Sequence, residues 1–530
     1  MVVGRVAGGR AQALLHAKGV ALGVLCMLLF LTFLDNTVVS VALGNVQSDL
    51  HAGVSALQWV VGAYALTFAS VMLACGMIGD ELGRKKVMLA GAAVFCAGSM
   101  LSALAPNVSV LIAGRAIMGL GAAASEPGTL SMLRQLYPER RSRDQAIGVW
   151  AGVSGLALAL GPVVGGVLTG IWNWEAIFWF NVIFGVLALV VALVVLPESA
   201  DPNAHRVDTP GTLLGALGLA TLVFAIIQGE ATGFSSTAVI LLFVAAAVGA
   251  VAFVWWELRA AHPLLDLRYL RVAAFTTSNI AAFCTYFATF AIFFITALYL
   301  EEVVGYSGYG IAKVFAPMTV IMIAASITVG RLGPRLPARW SILGGCVVFG
   351  AGLLLTNVTL GEHTHYLPLA ASLALTGLGI GTTVVPITSS VLSAIPAARS
   401  GMAASSTNTS REIGAVTGVA VLGALVNAAI HSDLHTRLIH LGIPLNFQSI
   451  VINAIETGGV PSSGHHAAGG AASGAAAAGN GNLVNEVINA AYGAFRTGLH
   501  EALYLSAGLV FASGVLAVLT MRSGTRGAEG

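Results

Sequence analysis

Apolar runs of about 20 residues, separated by short polar segments, recur along the whole chain. Because a helix of about 20 residues crosses the roughly 30 Å hydrocarbon core of a bilayer, each run predicts a membrane-spanning helix. Basic residues precede the first run, as in a signal peptide, but its length and the later runs favour a spanning helix. The predicted spans are fourteen: 20–43, 56–78, 87–105, 108–132, 145–170, 175–196, 211–230, 236–256, 275–300, 309–330, 340–358, 366–392, 409–430 and 502–521.

Composition supports an all-α integral membrane protein. Hydrophobic residues make up 57% of the 530 residues and charged residues 9%, whereas soluble domains carry roughly 25% charged residues. The formal charge of +2 gives no reason to expect a nucleic-acid partner, and all five cysteines fall within predicted spans, where they form no disulfide framework. No phosphate loop, zinc-ligand spacing or nucleophile elbow is found, so no cofactor and no metal are expected.

The distribution of basic residues predicts the orientation. If the N-terminus is inside, all 25 Lys and Arg residues fall on the inner side except Lys313, Arg437 and Arg496, which lie outside, and Arg115, which lies within a span. Arg411 is counted on the inner side. Positive loops stay in the cytoplasm, so both termini are predicted to be cytoplasmic. The excess of Arg over Lys and the abundance of Ala and Gly are typical of a GC-rich bacterium, which indicates the inner (plasma) membrane.

A weak internal repeat divides the chain into halves. The hairpin after the second span reads GMIGDELGRKK (76–86), and GRLGPRLPARW (330–340) after the tenth span is a degenerate echo of it. Such repetition is typical of transporters built from paired bundles. The predicted organisation is a cytoplasmic N-terminus (1–19), an N-terminal six-helix bundle (20–196), two inserted helices with linkers (197–274), a C-terminal six-helix bundle (275–521) with an outer loop (431–501), and a cytoplasmic tail (522–530).

The outer loop is the longest segment between predicted spans. Its centre, 458–482, is low-complexity and is expected to be flexible. Its flanks carry apolar residues at helical spacing and could lie on the membrane surface or cap the outer vestibule. A metal site around His431 and His435 beside Asp433 is conceivable, but ordinary loop histidines are the favoured interpretation.

Two charged residues stand out within the predicted spans. Asp35 lies about 8 residues from the outer end of the first span and Arg115 about 7 residues into the fourth, so they share a depth at about 1.5 Å per residue. They can therefore pair. Charges inside a membrane are costly and usually mark substrate or proton pathways. A functional pair is favoured over a static structural ion pair.

The first hairpin resembles the loop signature of the major facilitator superfamily, Gly-x-x-x-Asp-x-x-Gly-Arg-Lys/Arg. The glycines allow a tight turn, and the aspartate can accept bonds from helix-terminal amides and arginines. Glu81 stands where the family usually has a basic residue. The resemblance implies a cytoplasmic gate formed by Gly76, Asp80, Gly83, Arg84 and Lys85.

The fifth span contains GLALALGPVVGG (155–166), which resembles the signature associated with exporting antiporters of this superfamily. Small residues allow close helix packing, and proline removes a backbone bond and bends a helix. Generic small-residue packing is the alternative. The resemblance implies a hinge formed by Gly155, Gly161, Pro162, Gly165 and Gly166.

Further segments resemble the fourteen-helix drug:proton antiporter branch of the superfamily; they are 34–43, 57–66, 257–267, 299–307 and 401–423. The stretch LIAGRAIMGLGAA (111–123) resembles the branch's helix-4 motif, whose arginine, here Arg115, is implicated in proton coupling. Gly44, Met118 and SEPG (125–128) depart from the usual pattern, and these departures bear on the substrate.

A third deep charge, Glu126, lies about 11 residues from Arg115 toward the cytoplasm. It precedes Pro127, so a structural role with freed backbone groups competes with a functional one. We group Glu126 with Asp35 and Arg115 as residues of proton coupling or substrate binding. Candidate cavity residues are Trp59, Tyr64, Tyr286 and Asn408.

The sequence thus predicts a proton-coupled efflux transporter that works by alternating access and is not an enzyme. Expected partners are protons, the lipid bilayer and a small amphipathic substrate, which is a cationic drug, a metabolite or a lipid. We expect a monomer. An uptake permease of the same fold is the first alternative, and the helix-5 signature argues against it. A polytopic membrane enzyme is the second, and no cluster of acids or histidines at one membrane face supports it.

Overall fold

The computed structural model describes residues 2–52, 54–198, 208–260, 263, 265–302, 304, 306, 308–332, 336–361, 365–441 and 481–521. These residues form fourteen long helices joined by short turns. The helices are α1 (Val2–Leu50), α2 (Val54–Leu82), α3 (Arg84–Ala103), α4 (Val108–Leu136), α5 (Arg140–Ile171), α6 (Glu175–Val195), α7 (Thr209–Thr232), α8 (Thr237–Glu257), α9 (Ala273–Glu302), α10 (Gly308–Leu332), α11 (Ala338–Thr359), α12 (Tyr366–Ala394), α13 (Ser400–Ala429) and α14 (Gly481–Thr520).

Length and apolarity agree with the predicted spans. Thirteen helices are individually long and apolar enough to cross a membrane, and α5 becomes the fourteenth span when its two parts are counted together. Those parts, Arg140–Leu158 and Val163–Ile171, meet at an angle of 44°. The prediction of an all-α membrane protein with fourteen spans is confirmed.

The ends of the predicted outer loop are helical. α13 continues through a π-helical turn, Ile430–Leu434, into a short helix, His435–His440. α14 begins at Gly481, well before the predicted start at 502, so the flank 482–503 is continuous with the last span. The polar residues there lower the hydropathy without breaking the helical period. The other flank, 447–456, and the low-complexity stretch up to 480 lie outside the described residues.

The outer extensions of α13 and α14 are joined by a carboxylate. Asp433 Oδ2 accepts hydrogen bonds from Arg437 Nε at 3.0 Å and from Thr497 Oγ1 at 3.0 Å. Tyr299 of α9 packs its ring 5.9 Å from the ring of Phe495. The extended part of α14 therefore packs against neighbouring helices.

Helix contacts fall into two groups joined by specific pairs. Within the first group, α3 packs on α4 and α6, and α1 packs on α5; within the second, α11 packs on α12 and α14, and α9 on α13. The groups meet where α5 packs against α10 and α2 against α13. α7 and α8 pack on each other, and α7 also contacts α2 and α13. The inserted pair therefore lies at the junction of the two groups.

Candidate functional site

The predicted intramembrane pair is present in the structure. Asp35 and Arg115 are both buried, and Arg115 Nη1 donates to Asp35 Oδ2. Arg115 Nε donates to the backbone oxygen of Val60 at 2.9 Å, and the guanidinium lies 4.6 Å from the ring centre of Tyr64. The arginine is thus held between α1 and α2 from its position on α4.

A third residue holds the same carboxylate, and the sequence analysis missed it. Asn181 of α6 is fully buried and donates from Nδ2 to Asp35 Oδ1 at 2.8 Å. Both carboxylate oxygens therefore have a donor, one charged and one neutral. The available signal was a lone amide in the middle of one of the two most apolar spans. Such a group is expensive in a membrane unless it finds a partner.

A second charged cluster lies between α4 and α13. Glu126, Arg411 and Glu412 are all buried, and their charges interact with one another. Arg411 Nη1 donates to Asn408 Oδ1 at 3.1 Å, and Nη2 donates to Thr388 of α12. The prediction that Arg411 belongs to the inner side is wrong, because α13 begins at Ser400 and carries Arg411 eleven residues into the helix.

Aromatic rings flank the guanidinium of this second cluster. The Cζ atom of Arg411 lies 5.3 Å from the ring of Trp150 on α5 and 5.2 Å from the ring of Tyr286 on α9. Trp150 Nε1 donates to Thr129 Oγ1 at 3.1 Å. A guanidinium at these distances is attracted to the ring faces, and more strongly so away from water.

The environment of Glu126 differs from the structural role considered for it. Pro127 lies within α4, but Glu126 Oε2 has no hydrogen-bond partner among the residues that the structure describes. The backbone oxygen of Glu126 accepts from Thr129 Oγ1 at 2.7 Å. The carboxyl group therefore faces Arg411 and Glu412 without a hydrogen bond at one of its oxygens.

Tyr64 connects the two charged clusters. Its hydroxyl group interacts electrostatically with Asp35, Arg115, Glu126 and Glu412, and it donates to the backbone oxygen of Thr32 at 3.3 Å. Among the predicted cavity residues, Tyr64, Tyr286 and Asn408 therefore contact charged groups. Trp59 does not share these contacts: its ring packs 5.4 Å from Phe224 of the inserted helix α7.

Asp80 joins the two helix groups at the hairpin end, meaning the end of the protein that carries residues 76–86. Asp80 Oδ1 accepts from Arg84 Nε at 2.8 Å and from the backbone amide of Gly401 at 3.0 Å. Asp80 Oδ2 accepts from the amide of Met402 at 3.1 Å. The carboxylate thereby caps the N-terminus of α13, where the helix dipole favours negative charge.

Glycines make this contact close. A Cβ atom built on Gly76 would lie 2.7 Å from the backbone oxygen of Gly401 and would also clash with the side chain of Ser405. Gly83 has a φ of +114°, and a Cβ there would meet Glu198 Oε1 at 2.8 Å. Lys85 donates from its amide to Glu198 Oε1 at 3.2 Å. The five predicted gate residues therefore lie at contacts between helices.

Further bonds close the hairpin end. Arg134 Nη2 donates to the backbone oxygen of Ile395 at 2.8 Å, and Arg143 Nη2 donates to Ser393 Oγ at 3.2 Å. Ser389 Oγ of α12 donates to Asp144 Oδ1 of α5 at 2.5 Å. Each bond crosses between the two helix groups, so the structure represents a conformation closed at this end.

A turn outside the spans adds a further contact. Asp266 accepts from Arg268 Nε at 2.9 Å and from Arg399 Nη1 at 3.2 Å, which links the segment before α9 to the turn before α13. Partial burial raises the pKa of the Asp266 carboxyl group, but hydrogen bonds and charge from Arg268, together with the charge of Arg399, outweigh it and hold that pKa below its ordinary value.

The predicted hinge coincides with the bend in α5. The bend lies between Leu158 and Val163 and contains Pro162, which cannot donate to the backbone oxygen of Leu158 four residues earlier. Thr37 Oγ1 of α1 donates to that oxygen instead, at 3.1 Å. A Cβ on Gly165 would lie 2.9 Å from the backbone oxygen of Val38.

The other hinge glycines differ in their surroundings. A Cβ on Gly161 would clash with Thr37, and a Cβ on Gly155 would clash with Met322 of α10. A Cβ on Gly166 would meet nothing within 4 Å. Gly155 therefore lies at the junction of the two helix groups and Gly161 at the contact with α1, whereas space does not require glycine at 166.

Comparison with known proteins identifies the family. Residues 25–419 match the family model described as Major Facilitator Superfamily. The multidrug resistance protein Stp of Mycobacterium tuberculosis is 34% identical over 77% of this chain and 76% of that protein. The methylenomycin A resistance protein of Bacillus subtilis is 33% identical over 79% of this chain and 90% of that protein. The multidrug efflux pump LfrA of Mycolicibacterium smegmatis is 32% identical over 78% and 82%.

A solved structure supports the same fold. The crystal structure of the human organic anion transporter MFSD10 (TETRAN) superposes with a TM-score of 0.56 at 15% sequence identity, covering 94% of this chain and 98% of that one. At this identity the likeness concerns the fold alone. With the family match, the fourteen spans and the identities to efflux proteins, this multi-pass membrane protein belongs to the Major Facilitator Superfamily.

Proposed function

We propose that the protein exports small amphipathic compounds from the cytoplasm in exchange for protons, by alternating access between two six-helix bundles. The bundles are 20–196 and 275–521, with α7 and α8 at their junction. Relatives at 32–34% identity are named as multidrug resistance, antibiotic resistance and efflux proteins, which supports export of drug-like compounds. The helix-5 signature and these names favour export over uptake.

The observation that carries the proposal is the buried Asp35–Arg115 pair. A carboxylate held by a guanidinium and by Asn181 is stable only while the surrounding helices keep these donors in place. Removing one partner of a buried pair leaves the other charge uncompensated, which costs several kcal/mol. A proton on Asp35 would release Arg115, so protonation and helix arrangement are coupled at this position.

The gate supplies the conformational half of the mechanism. With the hairpin end in the cytoplasm, as the basic residues predict, the conformation described here is closed toward the cytoplasm. Asp80, Arg84 and the N-terminus of α13 separate when the bundles rock, and the bend of α5 gives that motion a flexible point. Substrate then enters between the bundles from the cytoplasm, and the protein returns to the closed form to release it outside.

Transport by the purified protein in proteoliposomes with an imposed pH gradient tests the proposal. Ethidium, a fluorescent cation, is a suitable first probe. We expect gradient-driven transport by the native protein and by Asp49→Asn, a control that makes the same change at an exposed position of α1. Asp35→Asn should abolish it, because the amide preserves shape but cannot titrate. Wild-type rates in Asp35→Asn would refute the assignment of Asp35.

A further inference from the structure

The cluster of Glu126, Arg411 and Glu412 is unbalanced in charge. It contains two carboxyl groups and one guanidinium, and relative exposures are 2%, 1% and 4%. Glu126 comes from α4 and the other two from α13, so the cluster crosses between the two helix groups. A buried charge without a counterion is strongly unfavourable, so the cluster needs one more positive charge when both carboxyl groups are ionised.

The residues around the cluster leave that requirement open. Tyr64 of α2 and Tyr286 of α9 are the titratable groups from other helices whose interactions with both carboxyl groups are resolved, and neither tyrosine supplies a positive charge. Glu126 Oε2, Arg411 Nε and Asn408 Nδ2 are buried without a hydrogen-bond partner among the described residues. Buried polar atoms in native proteins are usually paired, so these three mark an incomplete site.

The aromatic neighbours indicate what kind of cation fits. Trp150 and Tyr286 flank Arg411, and ring faces attract weakly hydrated, delocalised cations better than they attract neutral groups. The charge deficit is one, which matches a monovalent ligand. The site is separate from Asp35, whose charge is already matched by Arg115.

We propose that Glu126, Arg411 and Glu412 form a second ion site, which holds one exchangeable positive charge: a proton in the closed conformation, and the cationic group of a monovalent amphipathic substrate during transport. This inference rests on the export function proposed above and adds the substrate class and Glu412. Binding of a monovalent cation releases one proton from the carboxyl pair to water, so charge is conserved. A neutral compound releases none there.

Substrate-induced proton release measures this exchange without transport. Tetraphenylphosphonium is added to the purified protein in weakly buffered detergent, binding is measured at equilibrium, and a pH dye reports the protons released per probe bound. Chloramphenicol serves as the neutral probe. Glu501→Gln makes the same change at an exposed position of α14 and is the matched control.

We expect Glu412→Gln to lower the affinity for tetraphenylphosphonium at least about tenfold, because the cluster then balances its own charge. Proton release per bound cation should fall by about one, the single charge that the cluster lacks. Chloramphenicol binding should stay unchanged. Glu412→Asp should restore both properties in part, since it keeps the charge. Glu126→Gln tests the same claim from the other bundle and stands in for Glu412→Gln if that variant does not fold.

Two results would overturn the inference. Unchanged proton release in both glutamine variants would show that the pair holds no exchangeable proton. An equal loss of affinity for tetraphenylphosphonium and chloramphenicol would assign the cluster to structure. Failure of the export function itself is seen separately, as an absence of gradient-driven transport by the native protein in proteoliposomes.

Discussion

The contact between Asp80 and the N-terminus of α13 is expected to control closure of the hairpin end. The substitution Asp80→Asn removes the charge and leaves one oxygen to accept hydrogen bonds, whereas the native carboxylate accepts from Arg84 and from the amides of Gly401 and Met402. Only the two amide bonds cross between the helix groups. The asparagine oxygen retains one of them.

The size of the effect follows from what is lost. A hydrogen bond to a charged group contributes about 1.5–3 kcal/mol, and a negative charge at a helix N-terminus contributes about 0.3–2 kcal/mol. Losing one such bond and the charge thus weakens the closed form by about 2–4 kcal/mol. Taking the lower value, the population open at the hairpin end rises about 30-fold, since about 1.4 kcal/mol is tenfold.

Thiol labelling measures that population. Met402 is 3% exposed in the closed form, so a cysteine introduced there reacts with a water-soluble maleimide only when the gate opens. The five native cysteines are first replaced. Asp80→Asn should accelerate labelling about 30-fold. Asp433→Asn, which removes a carboxylate with the same i,i+4 arginine pair at the other end, should leave the rate unchanged. An unchanged rate in Asp80→Asn would refute the reasoning.

Three further changes test other parts of the protein. Arg115→Lys should slow gradient-driven transport, because one ammonium group cannot reach both Asp35 and the backbone oxygen of Val60; equal rates in proteoliposomes would count against the pairing. Asp266→Asn should lower the melting temperature at pH 7 but not at pH 3. The depressed pKa of Asp266 means that its contribution is present at neutral pH and is lost as the pH falls below about 4, and a difference that persisted at pH 3 would contradict this. Deleting about 460–480 should leave transport largely intact, because a Gly/Ala/Ser segment has little to bury and each doubling of loop length costs about 0.6 kcal/mol; loss of folded protein in size-exclusion chromatography would show that the segment is needed.

The sequence by itself determined the membrane architecture. Apolar runs set the number of spans, because a bilayer requires about 20 apolar residues per helix wherever that helix packs. The depth of Asp35 and Arg115 also followed from position alone, because the rise of a helix is fixed at about 1.5 Å per residue. The spacing of Gly76, Asp80 and Gly83 pointed to the hairpin before any neighbour was known.

Helix ends were less accessible to this reasoning. A hydropathy window averages over polar positions, so the polar start of α13 and the polar part of α14 were counted as loops although both are helical. The error mattered at Arg411, which was assigned to the inner side. A residue near a predicted boundary changes from loop to core when the helix is extended by two or three turns.

Only the tertiary structure decided which polar groups meet. Asn181 becomes a partner of Asp35 because α6 packs on α1, and Glu412 faces Glu126 because α13 packs on α4. These contacts join residues far apart in the chain, and hydropathy carries no record of which helices are neighbours. A charge inside a membrane can therefore be recognised from the sequence, but its partner depends on helix packing, which brings together side chains from both halves of the chain.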